Sequence, residues 1–417
     1  MLLFAAPLSV SSAAEWPEWR GGPERAGVWN EPGLPRTLPG EGPKILWSQT
    51  IGAGYSSPSV SGGRVYVLDR LKPPAAGADT ERVLCFAAAT GQPLWTNAYP
   101  CALKFKGGYE NGPRATPTVR AGKVFTLGSM SDLRCLDAAS GRTLWQHDLR
   151  AEYQARIPTW GTASAPWLEG SLVIVQAGGT NRTSVVAFDQ DTGREVWRSL
   201  DDKPGYAAIV GLDVGATRQL IVWTAEAICS LNPKNGGVFW RLPRPLAWDQ
   251  AIATPMYHAA SGLLLISSDR EGTIALKLDA AKPGYTVAWE NLNLNSLHSN
   301  PVLAGDFVYG LNHNGRFKSE CGEFRCVKIA TGELQWAVTN VTRMGMHTHA
   351  TVSRNAGNDT FYLTNELGEL ILASATPDGY HELARAQLTG KTWSHPAYAN
   401  RRIYTRSETT LVCAGLE

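Results

Sequence analysis

Four of the eight histidines, His298, His347, His349 and His395, lie close to a short small-residue-Pro segment, or to its equivalent, that recurs along the chain. His347 and His349 are two residues apart, so on a strand both rings would point to one side. Imidazole clusters of this kind suit divalent transition metals, and the four form a candidate metal site. The commoner role for such histidines is that of neutral, hydrogen-bonded side chains in a wet cavity. Tyr55, Arg114, Trp160, Tyr206 and Trp393 stand at or near the same recurring position, with Glu110, Asn111, Asp249 and Gln250 in the segments leading to it. That mixture of aromatic and polar groups suits a sugar or a peptide, and the first five are the candidate ligand-binding residues.

The elements that must position these groups come from a repeat. Trp47, Trp95, Trp145, Trp197, Trp240, Trp289 and Trp336 follow one another at steps of 43 to 52 residues. A short cassette precedes most of them, as in Leu136-Asp-Ala-Ala-Ser-Gly-Arg-Thr-Leu-Trp145 and Phe188-Asp-Gln-Asp-Thr-Gly-Arg-Glu-Val-Trp197. Each cassette predicts a hairpin, because Gly91, Gly141, Gly193 or Gly332 supplies the positive φ of a tight turn between two apolar strands. Upstream lies the small-residue-Pro run and a second β-rich stretch, such as Ser56-Ser-Pro-Ser-Val with Arg64-Val-Tyr-Val. Four short strands and one aromatic in each unit of this length predict propeller blades.

Eight units can be counted. The seventh carries Leu383-Ala384 where the tryptophan would stand, and the eighth, which begins at Trp393, is one strand short. Lys44-Ile-Leu-Trp-Ser-Gln, at the other end of the chain, supplies the missing strand. The expected fold is therefore all-β, an eight-bladed β-propeller of four-stranded antiparallel blades over residues 44–417, closed by pairing its N- and C-terminal strands. Closure removes the open edges a linear sheet would expose.

The repeated Asp-x-x-Thr-Gly-x-x-x-Trp cassette resembles the pyrroloquinoline-quinone-type propeller repeat. That family includes quinoprotein alcohol dehydrogenases and the propeller subunit of the bacterial outer-membrane β-barrel assembly machinery. The resemblance covers residues 44–417 and implies the fold, with each Trp packed between neighbouring blades. For the dehydrogenases it also implies a quinone stacked between a tryptophan and an adjacent-cysteine disulfide, with calcium held by Glu, Asn and Asp. This chain has no Cys-Cys pair and no Cys-x-x-Cys-His haem site. Trp160 and Trp393 could stack a cofactor, and Glu110, Asn111 and Asp249 could hold calcium, but no spacing selects them.

Lys and Arg number 39 against 37 Asp and Glu, without a basic run, which gives no case for nucleic acid. Residues 1–14 read as a signal peptide, an apolar core followed by Ser12-Ala-Ala14, and imply a periplasmic or secreted protein. No later stretch is long and apolar enough to span a bilayer as a helix. Residues 15–43, rich in Gly, Pro and Trp, predict an extended lead-in wrapped around the outside of the ring and pinned by Trp16 and Trp19. Cys85, Cys135, Cys229, Cys326 and Cys413 share one repeat position and are expected as buried free thiols, with no pair expected between Cys101 and Cys321. No Gly-x-Ser-x-Gly elbow, P-loop, His-Glu-x-x-His or Rossmann fingerprint is present. The reading that follows is a monomeric, more probably non-enzymatic module without a cofactor, binding an envelope protein or glycan. The alternative is an oxidoreductase using pyrroloquinoline quinone with calcium, or a metal-assisted sugar-active enzyme, working at the central channel.

Overall fold

The computed structural model describes residues 15–22, 24–71, 79–101, 112–313, 322–342 and 349–417. Eight antiparallel sheets are arranged as blades. Blade 1 sets the pattern with strands Ser59–Ser61, Arg64–Leu71, Thr80–Ala87 and Pro93–Pro100. The second and third strands are almost wholly buried and rich in Val, Leu, Tyr and Phe, while the fourth is largely exposed. Blades 2 to 6 repeat this order over 118–148, 167–199, 210–243, 256–291 and 302–338. Blade 8 closes as expected: Ile45–Thr50, from the start of the chain, pairs antiparallel with Thr410–Gly415, and Trp47 faces Cys413.

The core is a ring of slabs between blades. One slab joins Tyr66, Leu68 and Val83 of blade 1 to Val119, Val124 and Leu136 of blade 2. Most slabs are keyed by an indole that reaches into the next blade. Trp47 donates its Nε1–H to Ala88 O at 3.0 Å, Trp95 to Ala138 O at 3.1 Å, Trp145 to Gln190 O at 3.1 Å and Trp197 to Pro233 O at 3.0 Å. The flat ring rests on the cassette glycine of that next blade. A Cβ on Gly91 would fall 2.6 Å from the Trp47 ring, and one on Gly141 2.5 Å from Trp95. That glycine is thus fixed twice over, by its positive φ and by the indole above it. Across the third and fourth strands the tryptophan faces a small residue, as in Cys85 opposite Trp95, Cys135 opposite Trp145 and Ala187 opposite Trp197. This explains the shared position of Cys85, Cys135, Cys326 and Cys413, whereas Cys229 faces Arg241 and Ser230 stands opposite Trp240; the six cysteines among the described residues are free and buried. Cys321 lies outside them.

The lead-in departs from expectation. Its Trp16 to Trp29 part runs through the central channel instead of around the outside, and it touches the innermost strand, or the residues just before it, in all eight blades, while Glu31 to Gly42 passes over blades 7 and 8. Trp16 exchanges two backbone hydrogen bonds with Val60 of blade 1, and Pro17 O accepts from Val119 N–H of blade 2. Arg25 donates to Ala165 O and Pro166 O of blade 3 and to Ile209 O of blade 4. Trp19 Nε1–H donates to Thr254 Oγ1 of blade 5, and Arg20 to Asn300 O and Pro301 O of blade 6. Val28–Trp29 adds a parallel fifth strand to blade 7, and Trp29 stacks on Tyr398 of blade 8 at 4.2 Å. Innermost strands converge on the axis with carbonyls that have no further strand to pair with, and buried guanidinium groups satisfy several of them. Burial pushes Arg20 down to about 9, while Arg25 is held beside Glu18 at 3.0 Å.

Two outcomes follow. Gly141→Ala and Gly62→Ala both place a side chain at positive φ, but only the first meets an indole, since a Cβ at Gly62 has no neighbour within 4 Å. Denaturant titration should show Gly62→Ala costing about 1 kcal/mol for the backbone alone and Gly141→Ala clearly more. Arg25→Met leaves Glu18 buried with only the half-exposed Arg120, 4.0 Å away, as a cation and should cost about 3 kcal/mol, with Glu18→Gln recovering part of the loss when added to it.

Candidate functional site

In an antiparallel blade, the link between the second and third strands and the link from the fourth strand to the next blade emerge at the same end. At that end of the channel lies a cavity of about 560 Å³. The channel position read from the small-residue-Pro register lines it in every blade: Tyr55, Arg114, Ala163, Tyr206, Ile252, His298, His349 and Trp393. In blade 7 the residue is His349, whereas the register pointed to His347, which lies outside the described residues together with Glu110 and Asn111. A second tier, the residues just before the innermost strands, contributes Ser57, Ala165, Asn300 and His395. Trp19 of the lead-in forms the floor.

One wall is a column of stacked rings drawn from four consecutive blades. Tyr55 stacks on Trp393 with centroids 5.3 Å apart and planes at 16°. Trp393 stacks on His349 at 4.0 Å and 14°, and His349 on His298 at 4.1 Å and 20°. Arg114 caps the column, its guanidinium 5.0 Å from the Tyr55 centroid and donating to Gly112 O at 2.9 Å. Burial lowers the Arg114 pKa. Lys391 Nζ lies 5.1 Å from the Trp393 ring. The rings spend their faces on one another and on the cations, so the column turns ring edges, with the Arg114 charge beside them, towards the cavity.

Below the column His395 is buried between tiers. Its Nε2 lies 3.3 Å from His298 O, and its ring meets Trp19 at 4.6 Å. Burial is the chief cause that pushes its pKa down to about 3, with Arg20 adding to the effect, so the ring is neutral. His298 and His349 thus meet as stacked faces, and His395 turns an edge to a backbone carbonyl. Among the described residues no group of three or more His, Cys, Asp or Glu is placed to hold a metal ion.

Across the cavity Trp160 and Tyr206 pack at 5.9 Å, and the Trp160 backbone N–H donates to Tyr206 Oη at 3.4 Å. Burial pushes Tyr206 up to about 12. Gln250 lines the cavity and Asp249 does not. Trp248, 70 % exposed and at φ +61, stands at the lip. Asp269 and His313 also line the cavity, with His313 Nδ1 2.8 Å from Asp269 Oδ1. Sequence reasoning missed both because it followed the links between blades. These two sit just after the second strands of blades 5 and 6, and the charged run Asp269-Arg270-Glu271 was the available signal.

Together the ring of eight sheets, the indole-on-glycine joints and the lined channel end define an eight-bladed propeller of the pyrroloquinoline-quinone-like repeat type. The family model described as outer membrane protein assembly factor BamB matches residues 79–338, and the chain belongs to that family. It is 31% identical over 165 residues to quinoprotein alcohol dehydrogenase PedH of Pseudomonas putida, covering 36% of this chain and 25% of that protein. It is 23% identical over 305 residues to BamB of Shewanella oneidensis, covering 70% and 60%. The chain thus spans less than two thirds of the length of these relatives. Among solved structures, the quinohemoprotein alcohol dehydrogenase from Comamonas testosteroni superposes with a TM-score of 0.67 at 13% identity, over 97% of this chain and 80% of that one. BamB from Moraxella catarrhalis gives 0.58 at 16%, over 89% and 99%. These matches correct the expectation that the chain is more probably not an enzyme. Sequence identity is higher to the quinoprotein dehydrogenase than to BamB, and the fold superposes better on a dehydrogenase of that kind. No helix among the described residues is long and apolar enough to cross a membrane.

The neutral state of His395 makes a pH prediction. The unfolded chain takes up this proton near the ordinary value of 6.5 and the folded chain only near 3, so stability falls as acid is added across that window. His395→Phe keeps an aromatic partner for Trp19. It should cost about 1 kcal/mol at neutral pH for the lost hydrogen bond and show a shallower acid slope in thermal unfolding.

Proposed function

We propose that the cavity is a small-molecule site and that the protein is an oxidoreductase of the quinoprotein type in the cell envelope, acting on an alcohol or sugar hydroxyl. The single observation behind this reading is the column Tyr55, Trp393, His349 and His298, capped by the Arg114 guanidinium, on the wall of a cup about 560 Å³ in volume. Pyrroloquinoline quinone is flat and carries carboxylates, so its face suits the ring edges that the column presents and its charge suits Arg114. When bound, such a quinone supplies a two-electron acceptor. The described residues do not offer a divalent ion the carboxylate cluster that accompanies the quinone in the dehydrogenases, and nothing below depends on one.

The chain's own residues supply orientation and exclusion of water. Arg114 is partly withdrawn from solvent and held by Gly112 O and the Tyr55 face, so an anionic edge would meet it in one direction. Trp19 and His395 close the bottom, which removes bulk water beneath a bound ring. Trp160, Tyr206 and the exposed Trp248 leave an aromatic approach on the opposite side, the arrangement that packs against the apolar faces of a sugar. The BamB family match supports a second reading, in which the lip around Trp248 also meets an envelope protein.

Titration of purified protein with pyrroloquinoline quinone should quench tryptophan fluorescence saturably at one equivalent. Arg114→Ala and Trp393→Ala should each weaken binding about tenfold, roughly 1.4 kcal/mol. Alcohol-dependent reduction of an artificial electron acceptor should appear only with the quinone present. Absence of saturable binding by the wild-type protein would remove this function.

A further inference from the structure

We propose that His313 is the proton acceptor of this site and that Asp269 positions it, an inference that rests on the oxidoreductase reading above. His313 Nδ1 lies 2.8 Å from Asp269 Oδ1, and both side chains are nearly buried, at 2% and 9% exposure. The carboxylate accepts the Nδ1–H, and in the neutral ring that arrangement leaves the lone pair on Nε2. His313 Nε2 is buried and has no hydrogen-bond partner, although the residue lines the cavity. A buried imidazole nitrogen is ordinarily paired, so an orphan one beside a cavity marks the place of a hydrogen-bond donor from outside the chain.

The support around the pair fixes it. The backbone N–H of His313 donates to Asn295 O at 2.6 Å, and Asn295 is itself bound to Asn312 Oδ1 through backbone and side chain. Asp269 comes from blade 5 and His313 from blade 6, so the pair bridges two blades on the wall of the cavity that His298, the end of the aromatic column, also lines. A hydroxyl on a ligand lying along the column would have its acceptor there. Oxidation then balances as follows. The O–H bond breaks and its proton passes to His313 Nε2, giving an imidazolium opposite the Asp269 carboxylate. The neighbouring C–H hydrogen leaves with both bonding electrons to a two-electron organic oxidant of the quinone class, and C–O becomes C=O. Asp269 does not meet the substrate; its charge steadies the cation and its geometry holds the tautomer.

Two measurements test the pair. Diethyl pyrocarbonate acylates unprotonated imidazole nitrogens, and peptide mass spectrometry of the treated wild-type protein should find His313 modified along with the exposed His381. In quinone-dependent alcohol oxidation, His313→Gln should lower kcat about 100-fold, with KM and quinone affinity unchanged within about threefold. Asp269→Asn should lower kcat about tenfold with the same pattern. An unmodified His313 beside a fully modified His381 overturns the proposal, as does a His313→Gln variant with wild-type kcat. Acylated His313 in a protein without quinone-dependent turnover counts for an accessible acceptor and against the function proposed above.

Discussion

The ring stands on one repeated contact, an indole laid flat on a neighbouring blade's glycine with its N–H given to a carbonyl beside that glycine. The ring and the turn are complementary in three respects at once: large surface against absent side chain, donor against acceptor, and bulk against the small Cys or Ala across the strand pair. Each copy excludes water from a slab of Val, Leu and Phe. Where the cassette degrades, the joint changes. Trp240 gives its N–H to Gln219 Oε1 within its own blade and packs on Tyr285. Blade 7 has no tryptophan, and its slab with blade 8 takes Leu383, Ala384 and, from the lead-in, Leu34 and Leu38.

These joints set the radius of the circle, and the radius sets how much room remains on the axis. Side chains of the innermost strands are too short to fill it. The lead-in occupies the remainder, and its Arg20 and Arg25 bind carbonyls that face the axis. The cup is what is left above Trp19. Its wall therefore has one residue per blade, and its chemistry follows from which types the repeat places there: three aromatic or imidazole rings in succession from blades 6 to 8, then Tyr55 and Arg114 from blades 1 and 2.

Much of this was legible in the chain itself. Tryptophan spacing and the Thr-Gly turns specify blades because both act locally, within a hairpin and its next neighbour. The proline register placed seven of the eight wall residues, failing at blade 7, where no proline marks the position. The course of residues 15–43 was not legible, since Arg20 and Arg25 find their partners on strands scattered across the whole chain. The Asp269–His313 pair was hidden for a related reason. Its members lie 44 residues apart in the chain, on links that carry no motif, and meet only because two blades are adjacent. A scaffold repeat that serves dehydrogenases and assembly factors alike could not decide between them.

The filled axis governs traffic. A hollow propeller could admit one molecule at one end while discharging another from the opposite end. Here Trp16 to Trp29 stopper the shaft, so whatever visits the cup must back out through the opening it came in by. Among the described residues, arrival and departure then share the end of the channel where Trp248 stands, and a molecule slow to leave holds the next one outside.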